Sequence, residues 1–208
     1  MLRLHDNPIS SNALKVRFLL AELGLEYERV EVPLTQPRPD AYVALNPVAG
    51  VPTLEDDGFV LAESNTILRY LAEREGRDDL RGAGLEGRAR VDELLDRWSL
   101  TFRPAFFRVE RPALGFSFAV GFGGAPPDPE AARQVETEVA PVMRTLDGLL
   151  PESGWALGET LTIADCSLAP ALYRTLHTGM DLAPYPRLRR LRDALVARPS
   201  FVAAGPVG

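Results

Sequence analysis

Residues 51–71 read Val51-Pro52-Thr53-Leu54-Glu55-Asp56-Asp57-Gly58-Phe59-Val60-Leu61-Ala62-Glu63-Ser64-Asn65-Thr66-Ile67-Leu68-Arg69-Tyr70-Leu71. Val51–Glu55 and Phe59–Leu61 are apolar runs separated by Asp56-Asp57-Gly58, residues that tolerate the backbone of a tight turn, so the two runs predict a hairpin. Ser64 stands where a helix begins, as its cap, and Ile67, Leu68 and Leu71 share one face of that helix.

Upstream, Leu2-Arg3-Leu4-His5 alternates like a short strand and Asn7-Pro8 breaks it. Ser10-Ser11-Asn12 offers three caps for an apolar-rich helix that stops at Gly24. Tyr27–Val32 is β-rich, and the helix before it allows a parallel βαβ unit. Pro33, Pro37 and Pro39 mark a loop ahead of a short helix near Asp40–Leu45. Residues 1–75 therefore predict the order β-α-β-α-β-β-α. Residues 76–85 are charged and glycine-rich, the composition of a linker. Residues 86–208 read as all-helical. Val91, Leu94, Leu95, Trp98 and Phe102 recur at helical spacing. Asp128-Pro129 opens a second helix, Thr162 a third and Pro186 a fourth. The fold class is α/β plus all-α.

Composition narrows the function. The 208 residues are 46 % hydrophobic and 25 % charged, with a net charge of −6, as in ordinary globular chains. Of the 23 basic residues only Lys15 is a lysine, so 23 − 1 = 22 are arginines. These alternate with carboxylates, which disfavours a nucleic-acid partner because counterion displacement needs a basic face. One cysteine, Cys166, excludes an intrachain disulfide, a CxxC pair and a cysteine zinc cluster. His5 and His177 alone make a histidine metal site improbable, so no metal is expected. With no basic-then-apolar leader and no apolar run approaching eighteen residues, a reduced, cytoplasmic protein without a membrane partner is expected.

Each candidate site residue carries a structural reading beside a chemical one. A cis Val51-Pro52 bond would free the Val51 backbone to pair with an extended peptide, although only about 5–6 % of X-Pro bonds are cis, and spacing alone favours trans. Ser64 at a helix N-terminus attracts a carboxylate and Glu63 beside it an ammonium, so together they suit an α-amino acid end. The plain reading is a cap beside a surface glutamate. Ser10-Ser11-Asn12 are explained by capping, yet a hydroxyl backed by a helix dipole also stabilises a thiolate. Thr162-Ile163-Ala164-Asp165 fits a capping box, and Cys166 after it reads as a small core residue. Six of nine phenylalanines fall at 102, 106, 107, 116, 118 and 122. Core packing explains Phe102. The apolar, glycine-broken segment Leu114–Gly124 suits a pocket wall, a partner surface or ordinary packing.

The order of these signals resembles the glutathione transferase superfamily over nearly the whole chain. The resemblance rests on Ala44-Leu45-Asn46-Pro47, Val51-Pro52-Thr53-Leu54, Leu61 to Leu71 and Leu161-Thr162-Ile163-Ala164-Asp165. Ser10-Ser11-Asn12-Ala13-Leu14-Lys15-Val16-Arg17 is similar to the opening of serine- or asparagine-type bacterial members. It implies a thioredoxin-like glutathione-binding domain, a helical C-terminal domain and a homodimer, with a cis bond at Val51-Pro52 in place of the trans one. By resemblance the Val51 backbone pairs with the cysteinyl part of glutathione, and Glu63 and Ser64 hold its γ-glutamyl end. Ser10 hydrogen-bonds the thiolate, with Asn12 the fallback, and Thr162 and Asp165 form a folding cap.

Glutathione is then the co-substrate, and an apolar electrophile lies between the domains, against Phe102 and Phe106. Gly50 departs from the Gln or Lys of many relatives before the Val-Pro step, with Arg38 a conceivable substitute. The absence of a cysteine near position 10 disfavours the thioltransferase branch. The function implied is conjugation of glutathione thiolate. The alternatives are a glutathione-dependent isomerase, dehalogenase or peroxidase, or a non-enzymatic binding protein, to which Gly50 is the hint.

Overall fold

A computed structural model of the chain describes residues 1–34, 37–117 and 121–207. Of the phenylalanines named above, Phe118 lies outside the described residues. Strand β1 (Leu2–Asp6) buries Leu2, Leu4 and Asp6 while Arg3 and His5 face outward. Helix α1 (Ser11–Leu23) carries the chain back to β2 (Glu28–Glu31), which pairs with β1 in parallel, Leu4 opposite Arg29. After α2 (Asp40–Leu45), β3 (Thr53–Asp56) runs antiparallel to β1, Leu54 opposite Leu4, and β4 (Phe59–Ala62) closes the hairpin, Leu61 opposite Leu54. The sheet order is β2-β1-β3-β4. Strand β3 begins at Thr53 rather than Val51, consistent with Pro52 having no N–H to give the ladder. Helix α3 (Ser64–Arg74) follows.

One detail of the predicted start of α3 differs. Ser64 is its first helical residue, not its cap. The capping position is Glu63, at φ 68 and ψ 109, with no side-chain cap bond. A left-handed glutamate costs on the order of 1–3 kcal/mol and persists where its surroundings over-determine it.

The stretch read as a linker is folded. Within it α4 (Asp78–Arg81) buries Leu80, and Arg81 joins Glu73 at 2.9 Å to Asp92 at 2.8 Å. The helical half comprises α5 (Gly84–Arg97), a π-helical turn at Trp98–Phe102, α6 (Arg103–Ala113), α7 (Pro129–Leu149), α8 (Ile163–Thr178), α9 (Pro186–Val196) and α10 (Pro199–Ala203).

Helix α8 is the hub of the molecule. It packs on α1, α5, α6 and α9 and is apolar nearly all round, as a helix buried on every side must be. Its N-terminus lies indoors, so its free N–H groups need partners. The Asp165 carboxylate accepts from Thr162 N at 2.8 Å, Ala156 N at 2.7 Å and the Thr162 hydroxyl at 3.0 Å, in a capping box. Cys166 beside it is fully buried, and burial pushes its thiol well above the ordinary range, so it is packing rather than chemistry. One apolar cluster runs from Leu4 and Phe18 through Ile67 to Trp98, Ala164 and Leu172, crossing both halves. No helix among the described residues is long and apolar enough to cross a membrane.

Candidate functional site

The turn between β1 and α1 is held by polar groups from within. Asn7 donates to Val32 O at 2.9 Å and accepts from Ile9 N at 3.1 Å, and Ser10 N donates to Asn7 O at 3.0 Å. Beneath it Asp6, fully buried, receives Arg17 at 2.8 Å and Arg29 at 2.5 Å. This scaffold sets Ser10 at the N-cap of α1, where its Oγ accepts from Ala13 N at 3.2 Å. The accepted bond leaves the hydroxyl proton free to be donated outward, next to the positive end of a 13-residue helix.

Ser10, Ser11 and Asn12 form one lip of a cleft of about 320 Å³. Ile9 and Leu34 come from the same half of the chain, Arg103, Phe107, Phe116, Gly121, Phe122 and Arg174 from the other. The three phenylalanines meet edge-on, with ring centroids 5.3–6.0 Å apart. Gly121 adopts φ +87, and a Cβ there would come within 3.2 Å of Ile9 Cδ1. Glycine thus suits both the turn and the close approach of the loop to Ile9.

Phe102 and Phe106, the expected walls for an electrophile, do not line this cleft. Phe106 is 1 % exposed and packs on Trp98 at 5.4 Å, inside the core. Phe102, 3 % exposed, faces a separate depression with Pro141 and Val142. Trp98, Phe102, Phe106 and Val109 are all buried, so the core-facing stripe of α5 runs on through the π-helical turn into α6 and takes Phe106 with it. Phe107, not Phe106, faces the cleft.

The glutathione residues expected from the sequence stand on adjoining elements. Val51-Pro52 is cis. Asn46 fixes the turn before it by donating to Gly50 O at 2.9 Å and Thr53 Oγ1 at 3.0 Å, and the Tyr42 hydroxyl donates to Gly50 O as well. At Gly50 itself a Cβ would meet nothing within 4 Å, so the missing side chain leaves open space. Arg38 donates to Ala49 O at 3.2 Å and to Pro33 O at 3.1 Å. Glu63 and Ser64 open α3. Asn65 next to them donates to Ser99 Oγ at 2.9 Å and accepts from Ser167 at 2.8 Å, tying this helix start to the helical half.

Lys15 was legible in the sequence only as part of a motif. In the structure it reaches from α1 to within 3.5 Å of Ser64 Oγ and Asn65 Oδ1 and is 4 % exposed. Burial, helped by Arg103, pulls its ammonium down to about 7, against a raising influence of Glu63. Arg103 and Arg174 had no sequence signal beyond being two of 22 arginines. Only the packing of α6 and α8 over Ser10 brings them together.

Comparison with known proteins agrees with this geometry. The family "Glutathione S-transferase, N-terminal domain" matches residues 4–79, and "Glutathione S-transferase, C-terminal domain" matches residues 129–194. The chain is 33 % identical to glutathione S-transferase 3 of Zea mays, over 99 % of its own length and 95 % of that protein's. It is 30 % identical to a maleylacetoacetate isomerase of Pseudomonas aeruginosa, over 99 % and 96 % of the two lengths. Among solved structures, glutathione S-transferase III in apo form superposes with a TM-score of 0.81 at 30 % identity, covering 100 % of this chain and 98 % of that one. The chain therefore belongs to the glutathione S-transferase family.

Proposed function

We propose that the protein joins glutathione, through its sulfur and with loss of the thiol proton to solvent, to the electrophilic carbon of a small molecule seated in the cleft beside Ser10. The observation that carries this reading is the position of the Ser10 hydroxyl, at the N-cap of α1 and on the lip of an aromatic-lined cleft. Glutathione lies along β3 and the start of α3, its cysteinyl part on the Val51 backbone and its γ-glutamyl end against Glu63 and Ser64. Ser10 donates to the sulfur, and the helix dipole favours the charged form. A free thiol near pKa 8.5 is only a few per cent ionised at pH 7, and each unit of depression is worth about 1.4 kcal/mol. The thiolate attacks carbon, the C–S bond forms, and the displaced group departs with its electron pair. Serine remains a hydrogen-bond donor throughout and is never the nucleophile.

Ser10→Ala removes a bond to a charged sulfur, worth about 1.5–3 kcal/mol, so kcat/KM toward 1-chloro-2,4-dinitrobenzene falls by roughly 10- to 100-fold while glutathione affinity changes little. The measurement is steady-state kinetics with each substrate varied. Full activity in both Ser10→Ala and Asn12→Ala would remove the assignment.

A second reading keeps the thiolate and changes the outcome. The Pseudomonas relative is a maleylacetoacetate isomerase. A thiolate that adds to a conjugated double bond, lets the former double bond rotate and leaves again performs such an isomerisation with no net consumption of glutathione. Thiol consumption separates the two readings.

The remaining expectations complete the proposal: a cytoplasmic enzyme of a glutathione-binding half (1–75), a joint (76–85) and a helical half (86–208), working as a homodimer. Exposed Phe59 and Val60 on edge strand β4, and Leu100 at 81 % exposure, support pairing. Light scattering should return a mass near twice 22.8 kDa. A monomer mass at micromolar concentration removes the dimer.

A further inference from the structure

We propose that Glu110, a buried residue of α6, is a positioning residue for thiol activation: its carboxylate holds Arg103 and Arg174, and through them the two residues that flank Ser10. The inference rests on the reading of Ser10 as the donor to the glutathione sulfur. It extends that reading from the hydroxyl to what aims it.

Ser10 ends the turn between β1 and α1, so its hydroxyl is aimed by whatever holds the backbone on either side of it. Within its own half, Asn7 accepts from Ile9 N at 3.1 Å and from Ser10 N at 3.0 Å, and Arg17 donates to Pro8 O at 3.3 Å. The other ties come from the helical half. Arg174 of α8 donates to Ile9 O, and Arg103 of α6 donates to Ser11 Oγ at 3.3 Å. Ile9 and Ser11 are thus each held by a guanidinium, with Ser10 between them.

Both guanidiniums end on one atom. Glu110 Oε2 accepts from Arg103 Nη2 at 2.9 Å and from Arg174 Nη1 at 3.1 Å. Arg103 gives the same Nη2 to Glu110 and to Ser11, and Arg174 spans Glu110 and Ile9 with the two arms of a rigid planar fork. Glu110 is 2 % exposed and does not line the cleft, so its geometric influence on a bound molecule passes through the arginines.

Stability alone does not account for the cluster. Glu110 Oε1 and Arg103 Nη1 are shut from solvent and have no hydrogen-bond partner among the described residues. Replacing a buried ion cluster by apolar side chains of similar volume is often neutral or stabilising, and unmet polar atoms weaken the cluster further. Among the bonds it does complete are those that reach Ile9 and Ser11. Misplacing a reacting group by about 1 Å costs on the order of 100-fold in rate, so ties of this kind matter for a hydroxyl that has to meet a sulfur.

The charge of Glu110 and its geometry act in opposite senses. A carboxylate near the sulfur disfavours the thiolate, so if only its field mattered, removing it would lower the thiol pKa. If it holds Ser10 in place, removing it raises that pKa.

The test follows the ultraviolet absorbance of the thiolate to obtain the pKa of enzyme-bound glutathione in wild type, Glu110→Gln, Ser10→Ala and the double variant. Glu110→Gln is expected to raise it by about one unit, a roughly tenfold loss of thiolate and of kcat at a pH below both values. The Kd of glutathione at that pH changes little, because Val51, Glu63 and Ser64, the residues proposed for its two ends, stand elsewhere. In the Ser10→Ala background the same substitution raises the pKa no further, since both act through one bond. Circular dichroism and thermal unfolding show which variants are folded. A pKa unchanged or lowered in a folded Glu110→Gln, with Ser10→Ala raising it, overturns the inference and leaves Ser10 as the donor. An equal rise in both backgrounds also overturns it, because Glu110 would then act independently of Ser10. Should Glu110→Gln fail to fold, Ser11→Ala, which releases only the Arg103 tie, decides: a rise of about half a unit supports the inference and no rise overturns it. An unchanged pKa in Ser10→Ala removes the reading of Ser10 itself, and the role of Glu110 with it.

Discussion

Asp165→Ala is expected to destabilise the protein by about 3–5 kcal/mol. The carboxylate is fully buried and is the partner of Ala156 N, Thr162 N and the Thr162 hydroxyl. Its removal leaves two backbone N–H groups without an acceptor, each costing roughly 1–3 kcal/mol, besides the lost cap. Position amplifies the loss, because α8 is the helix on which α1, α5, α6 and α9 pack. At a few degrees per kcal/mol for a chain of this size, the melting temperature should drop by roughly 10 °C. Burial pushes the Asp165 carboxyl up to about 6, so the comparison belongs at pH 7.5, where it is ionised and accepts from all three donors. Chemical denaturation of wild type and variant measures the difference. A loss below about 1 kcal/mol would show that the buried helix start does not depend on this side chain.

The second large effect is on the pH dependence of stability. Lys15 is held down to about 7 in the folded protein, against about 10.4 in an unfolded chain. Between these values the unfolded chain binds a proton that the folded one does not, so the Lys15 contribution makes stability rise with pH across the window. That contribution is complete above the unfolded value and is lost as pH falls through the folded one. The gap corresponds to something on the order of 4 kcal/mol. Cys166, raised by burial, works in the opposite sense above the ordinary thiol range, so the quantity to read is the difference between wild type and Lys15→Met. That difference should change steadily from pH 7 to pH 9.5 in denaturant titrations. A constant difference would mean that Lys15 stays charged where it is, with Ser64 and Asn65 solvating its ammonium.

Much of the N-terminal half is readable because its signals are local. Alternation in Leu2–Asp6, the Asp57-Gly58 turn and the Gly24 stop each act over a few residues, and the strands, helices and hairpin of the structure follow them. The cis bond at Val51-Pro52 was different. Spacing favoured trans, and only the resemblance pointed to cis. The cap of α3 was off by one residue because a left-handed glutamate has no propensity signature that separates it from a cap serine. The cleft was the least legible part. Phe102 and Phe106, expected as its walls, fall on the buried stripe that runs on from Trp98, and the aromatic wall is made instead by Phe107 with Phe116 and Phe122 of the segment after α6. Arg103, Glu110 and Arg174 are separated by up to 71 residues and meet only through the packing of α6 on α8. No window of sequence contains that triad.

The ion cluster of the joint also bears on how the molecule comes apart. Arg81 reaches Glu73 in α3 and Asp92 in α5, and Arg69 reaches Asp92 at 2.6 Å, while Arg198 and Ser200 clasp Glu22 from the other end of the chain. With the apolar cluster continuous across the same boundary, neither half has a complete core of its own. The chain should therefore lose its structure in a single cooperative transition, with fluorescence and circular dichroism tracing the same curve. Residues 1–75 made alone would expose the apolar face that α1 turns toward α8. The cleft beside Ser10 and the β3–α3 segment next to it then belong to one folding unit, and a substitution in the α8 cap is felt at Ser10 through stability rather than through contact.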